Sequence, residues 1–238
     1  MTTVQSKLLS SFTIRFARFL FWRRWVLANA VAELIGLGGS ALLWIAFLFG
    51  MEAQLGILIS AIVVVVGSTL LEGTAVGWLQ WRMLRQYLPQ LSFVSWWWAT
   101  ALGALVAWTL GMIPSTLMAL SEEATAATGP PAEISDLLMY TLAAVMGFVL
   151  GPVLGTPQWW VLRRHLSHAW RWILANAVAW AAGMVVIFIA IGLVPEDGIT
   201  ALTVVILLGG LALAGAVVGA IHGAVLVMLL TVNRKTVG

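Results

Sequence analysis

Six long apolar stretches, separated by short polar breaks, divide this chain. They cover roughly residues 25–49, 54–81, 95–120, 137–162, 170–194 and 199–231, each longer than the ~20 residues that cross a hydrocarbon core. The breaks alternate in sign. All 12 Lys and Arg fall in four places: Lys7, Arg15, Arg18, Arg23 and Arg24; Arg82 and Arg85; Arg163, Arg164 and Arg171; Arg234 and Lys235. Acidic breaks lie between them, at Glu52, at Glu122, Glu123, Glu133 and Asp136, and at Glu196 and Asp197. A chain that crosses a bilayer six times and keeps every basic turn on one side produces this alternation. The pattern therefore predicts an all-α, polytopic bundle of six transmembrane helices with both termini cytoplasmic. The longest loop, Ser121 to Ile134, holds Gly129-Pro130-Pro131 and is expected to be external and irregular.

Residues 1–22 read as a separate prelude. Leu8, Leu9, Phe12, Phe16, Phe19 and Leu20 follow helical spacing with Lys7, Arg15 and Arg18 among them, which predicts an amphipathic helix on the cytoplasmic surface. The transmembrane domain then spans residues 23–238. Its first apolar stretch is too long for a signal-peptide core, so the first helix is expected to be retained.

An internal repeat runs through the spans. Span 1 opens with Trp25-Val26-Leu27-Ala28-Asn29-Ala30-Val31-Ala32, and span 5 with Trp172-Ile173-Leu174-Ala175-Asn176-Ala177-Val178-Ala179. Span 3 has a degenerate copy, aligned on Trp98. The even spans also end alike: Gly73-x3-Gly77-x2-Gln80-Trp81-x2-Leu84-Arg85, Gly151-x3-Gly155-x2-Gln158-Trp159-x2-Leu162-Arg163, and Gly215-x3-Gly219-x2-His222-Gly223. Three helical hairpins, about 23–93, 94–168 and 169–238, thus repeat with the same in–out–in course. Parallel repeats of this kind are related by an axis along the membrane normal, here a pseudo-threefold. The pattern resembles a group of uncharacterised bacterial polytopic membrane proteins with repeated Gly-x3-Gly-x2-Gln-Trp-x2-Leu-Arg segments. The resemblance covers the first two copies, departs at His222 and Gly223, and implies an inner-membrane fold but no activity.

Composition narrows the function classes. Of 238 residues, 62% are hydrophobic and only 9% charged, against the ~25% of a soluble domain. The basic residues mark helix ends and form no stripe on a soluble face, so nucleic acid is not an expected partner. Without Cys there are no thiolate metal sites or disulfides. The sequence holds no nucleophile elbow, zinc-helix motif or phosphate loop, which argues against an enzyme. Its 14 Trp cluster near the basic turns. Trp96, Trp97, Trp98, Trp159, Trp160, Trp170 and Trp172 read as a belt at the headgroup level.

Three sets of residues remain as candidates. Gly73, Gly77, Gly151, Gly155, Gly215 and Gly219 predict close helix packing, because small residues let backbones approach in lipid. Asn29, Gln80, Gln158, Asn176 and His222 lie at matching depth. They predict interhelical bonds Asn29–Gln80 and Asn176–His222, or a polar ring at the end of a ligand pocket; His222 is also a conceivable pigment ligand. Glu33 and Glu72 are the acids that fall inside spans, eight residues beyond Trp25 and eight before Gln80. At equal depth on one hairpin they can share a proton or hold a cation. Their repeat equivalents, Val106 and Leu150, then Trp180 and Ala214, are not acidic. The leading expectation is a non-enzymatic scaffold or accessory subunit of a membrane complex, or a lipid or pigment binder. The alternative is a small transporter or channel that uses Glu33 and Glu72.

Overall fold

The computed structural model describes residues 2–46, 56–124, 135–195 and 200–236. Glu52, Gly129-Pro130-Pro131, Glu133, Glu196 and Asp197 lie outside the described residues, as do the side chains of Lys7, Leu8, Leu9, Phe12, Glu122, Glu123, Arg234 and Lys235. Six α-helices account for nearly all of the described chain: α1 (Thr2–Ala46), α2 (Ile57–Leu84), α3 (Phe93–Ala124), α4 (Asp136–Leu162), α5 (Arg171–Gly192) and α6 (Ala201–Thr236). Each contains a stretch long and apolar enough to cross a membrane, the shortest being Phe93–Ile113 with 21 residues and mean hydropathy 1.3.

Two boundaries differ from the sequence reading. The segment 1–22 is not set apart: α1 runs unbroken from Thr2 to Ala46, and its membrane-length stretch begins at Arg15. No Pro or Gly interrupts the chain before Gly36, so the helix has no reason to end at residue 22. Phe21 already belongs to the buried core, and Trp22 Nε1 donates to Ala220 O on α6 at 2.9 Å. At the other boundary, α3 continues through Ser121 to Ala124, into the stretch expected to be an irregular loop.

The helices form a closed ring in chain order. Each packs against its sequence neighbours and α6 returns beside α1; among the described residues, helices across the ring do not pack backbone to backbone and meet only through side chains at the centre. Short basic connections dictate this, because a turn of a few residues leaves consecutive helices antiparallel and adjacent. The two connections repeat their bonding. After α2, Leu88 N donates to Leu84 O at 2.8 Å; after α4, Leu166 N donates to Leu162 O at 2.8 Å. Each turn thereby folds its own leucine beneath the bundle. Leu84, Leu162 and Leu226, one from each even helix, are completely buried there, with Leu88, Leu91, Leu166 and Leu229 around them. The opposite faces of the helices expose Leu, Ile and Val in quantity, as lipid contact requires.

α4 runs through Pro152 and Pro157 without ending. Its start is fixed by Ser135, whose side chain accepts from Leu138 N, with Asp136 in the first turn, where a negative charge meets the positive helix end.

Candidate functional site

Two sites can be built from these helices, one on each side of the bundle's midpoint. Towards the basic turns, a hydrogen-bonded belt closes the ring. Gln80 Nε2 on α2 donates to Asn29 Oδ1 on α1 at 2.9 Å. Gln158 Nε2 on α4 donates to Thr100 Oγ1 on α3 at 3.0 Å and to Gln80 Oε1 at 3.2 Å. Trp172 Nε1 on α5 donates to Gln158 Oε1, and Trp25 Nε1 on α1 to His222 Nδ1 on α6, both at 3.0 Å. These bonds link all six helices. Second donors turn inward on their own helices: Asn29 Nδ2 to Trp25 O, Asn176 Nδ2 to Trp172 O and Thr100 Oγ1 to Trp96 O. In an apolar interior each such group must find a partner, so the belt fixes the relative rotation of the helices as well as joining them.

Trp25, Trp96 and Trp172, one from each odd helix, fill the centre beside this belt and are completely buried. The Trp25 and Trp172 rings meet edge-on at 6.1 Å between centroids, and Trp96 lies 6.4 Å from Trp172. His222 is enclosed between Trp25 and Trp172, at 5.8 and 5.0 Å. The indoles, with the leucines below them, plug the basic end.

Four of the five polar candidates thus take partners on other helices: Gln80 reaches Asn29 as expected and Gln158 as well, His222 takes its bond from Trp25 rather than Asn176, and Asn176 bonds the backbone of its own helix. The expected aromatic belt separates into two populations. Trp98, Trp160 and Trp170 are about half exposed, and Arg163 stacks over Trp160 at 3.3 Å. Trp96 and Trp172, with Trp25, are core. On α3, Trp96 and Thr100 are buried, whereas Trp98 and Leu102, two residues further on, are exposed. The spacing that could have shown this is Trp-x3-Asn or Trp-x3-Thr, which places indole and polar group on one helix face. A three-Trp run hid which indole starts the pattern.

The glycines sit where even helices meet the following odd helix. A side chain at Gly151 would strike Asn176 O and Ala177 Cα; one at Gly215 would meet Asn29 O at 2.7 Å; one at Gly73 would meet Ala101 Cα at 2.9 Å. Gly155 and Gly219 approach Asn176 and Asn29 at 3.1 and 2.9 Å, while Gly77 has only ordinary contacts from 3.4 Å.

Beyond the belt, the helices line an open cavity of about 440 Å³. All six helices line it, through Trp44, Glu72, Trp108, Leu150, Trp180 and Leu211 among others. Among the described residues, Glu72 is the one ionisable group in its wall. Trp108 Nε1 donates to Glu72 Oε2 at 2.7 Å and fixes the carboxyl's orientation. Glu72 packs on Gly36, where an added Cβ would meet its Cα at 3.0 Å. That contact is one turn along α1 from Glu33. Glu33 is 2% exposed, and its Oε2 has no hydrogen-bond partner among the described residues. The buried hydroxyls of Ser60, Ser68 and Thr69 on α2 likewise have none.

Sequence reasoning singled out Glu33 and Glu72 but not the cavity or its indoles Trp44, Trp108 and Trp180. Comparison of the chain with family models, with curated proteins and with solved structures finds no match.

Proposed function

We propose that the protein is a non-enzymatic integral membrane protein that binds a small hydrophobic molecule within its ring of helices. The observation that carries this reading is the 440 Å³ cavity lined by every helix. Ligand sites are concave, mostly apolar, about 300–1,000 Å³ in size, and furnished with few polar groups. This cavity has that character, with one oriented carboxylate in an otherwise apolar and indole wall. Lipid or pigment binding thereby gains over a purely structural role as an accessory subunit, although a bound protein partner remains compatible with the lipid-facing surface. His222 is a poor choice for a pigment ligand, because two indoles enclose it and its Nδ1 is already bonded.

The finer architecture belongs to the same reading. The three hairpins are repeats about a pseudo-threefold axis, which the recurrence of Trp-x3-Asn/Thr on odd helices and Gly-x3-Gly-x2-Gln/His on even helices supports. The basic turns and both termini face the cytoplasm of a bacterial inner membrane, and the N-terminal end of α1 projects to the same side. The likeness to bacterial proteins with repeated Gly-x3-Gly-x2-Gln-Trp-x2-Leu-Arg segments fits this placement.

The experiment is purification in a mild detergent, followed by mass spectrometry of extracted small molecules and an absorption spectrum. Wild type is expected to retain a hydrophobic molecule near one per chain. Ala107→Phe, which fills a lining position, is expected to lose it without a change in melting temperature. Equal retention by both proteins would sink the cavity reading. A second reading is proton- or cation-coupled transport through Glu33 and Glu72. The unpartnered polar atoms of α1 and α2 favour it, since hydroxyls of this kind ordinarily bind water. Reconstituted into vesicles with a trapped pH dye, a transporter would move protons and a pure binder would not.

A further inference from the structure

We infer that the cavity takes a lipophilic cation, an organic ammonium or phosphonium centre on a hydrophobic body, with Glu72 as its counter-charge. The inference rests on the cavity-binding reading above and adds the chemical class of the ligand.

The wall chemistry selects this class. Trp44, Trp108 and Trp180 contribute indoles to the cavity, and indole is the best aromatic partner for an organic cation. Glu72 stands among them with Oε2 held by the Trp108 N–H, and a carboxylate's remaining lone pairs stay available to a ligand. Glu33, on the neighbouring helix one turn from the Gly36 that packs against Glu72, adds a second buried acid, with one oxygen unpartnered among the described residues. All Lys and Arg of the chain lie in the N-terminal stretch, in the basic turns or at residues 234–235, so none stands beside these acids as a counter-ion. A cationic ligand supplies what this arrangement lacks.

The alternatives fit less well. A bare divalent cation asks for six or more oxygen ligands, and this wall offers carbon and indole. A neutral lipid chain would fill the space without using the carboxylate, and an acid within the membrane is too costly to keep for packing alone. The other two hairpins keep the fold with Leu150 and Ala214 at the positions corresponding to Glu72.

The test compares two probes of similar size on the purified full chain in mild detergent, tetraphenylphosphonium and neutral triphenylphosphine oxide, read by quenching of Trp fluorescence. Wild type is expected to bind the cation about tenfold or more tightly than the neutral probe. Glu72→Gln is expected to weaken the cation by about tenfold more than the neutral probe, and Glu33→Gln to do so by a smaller factor. Equal affinity of wild type for both probes overturns the inference. So does a cation preference that survives in the Glu72→Gln/Glu33→Gln double variant. Binding of the neutral probe alone leaves the cavity reading standing and removes this one, whereas binding of neither removes both. The wild-type comparison needs no variant, so a Glu72→Gln protein that failed to fold would leave the test intact.

Discussion

The two halves of this bundle are built from the same six helices and solve opposite problems. Towards the basic turns, Asn29, Gln80, Thr100, Gln158 and His222 have mutual or indole partners, three Trp meet at the centre, and three Leu seal the floor. Towards the other end the helices leave an open cavity, and Glu33, Ser60, Ser68 and Thr69 keep buried polar atoms without partners among the described residues. A polar layer paired at all but the Trp96 indole specifies one arrangement of helices, because any rotation would orphan several groups at once. A half-paired layer destabilises unless something else enters it. The contrast teaches that the first half holds the ring together and thereby permits the second half to stay open. Function is then expected where the packing is incomplete, not where the sequence motifs are densest.

Glycines probe this division most sharply. Gly151 lies where α4 presses on α5, against the backbone atoms Asn176 O and Ala177 Cα, which cannot give way as a side chain can. Gly111 lines the cavity, and a Cβ added there meets nothing within 4 Å. Gly151→Ala should therefore push α4 from α5 and lower stability by about 3 kcal/mol, at the upper end of ordinary overpacking. Gly111→Ala should cost nothing measurable and gain a few tenths of a kcal/mol from helix propensity. Unfolding in mixed micelles with increasing denaturing detergent would read both. Similar stability of the two variants would mean that helix contact and cavity wall are not packed differently.

The belt supplies the next effect in size. Gln158 is its most connected residue: it donates to Thr100 and Gln80 and accepts from Trp172. Gln158→Leu keeps the volume, removes three bonds and leaves Gln80 Oε1 and Trp172 Nε1 unpartnered. A loss of about 1–2 kcal/mol is expected, since interhelical bonds in membranes contribute about 0.6–2 kcal/mol and orphaned buried groups cost a little more. Gln86, whose side chain bonds only its own helix at the surface, is the control. Gln86→Leu should leave unfolding unchanged. If Gln158→Leu is equally silent, the belt is not what fixes the helices.

How far the sequence anticipated these two halves follows from what each is made of. The six helices were legible because apolar length and charge alternation are local properties. The Gly-x3-Gly-x2-Gln pattern was legible because it recurs, and Asn29–Gln80 followed from equal depth alone. The partner of His222 was not, since Trp25 comes from the far end of the chain, 197 residues away, and becomes its neighbour only when the ring closes. Which of Trp96, Trp97 and Trp98 points inward was not legible, because the three are chemically equivalent in sequence; helix rotation decides it, with Thr100 bonded to Trp96 O and Gly73 close against Ala101. The cavity had no signature at all. It is the space left where facing residues happen not to meet, and Trp44, Trp108 and Trp180 share no motif. Residues 1–22 read apart in sequence yet share one helix with the first span, because charge on one face of a helix marks a change of solvent, not an end to the hydrogen-bond ladder.

The smallest effect lies within the three central indoles. Trp25 and Trp172 donate to His222 and Gln158, but Trp96 Nε1 has no partner among the described residues. The acceptor placed to receive it by analogy, Gln80 Oε1, already takes a bond from Gln158. Phe in place of Trp removes similar apolar area at each position, yet only at Trp25 and Trp172 does it also break a bond and strand an acceptor. Trp172→Phe should therefore cost about 1 kcal/mol more than Trp96→Phe, the net worth of one buried hydrogen bond. Adding Gln158→Leu to each variant sharpens the comparison. In the Trp172→Phe background the second change should cost less than it does alone, because the Trp172–Gln158 bond is already gone. In the Trp96→Phe background it should cost its full amount, because no bond joins Trp96 to Gln158. Equal coupling of Gln158 to both indoles would show that the belt adapts to each loss, and that the unpartnered indole differs from the others in no way that matters to stability.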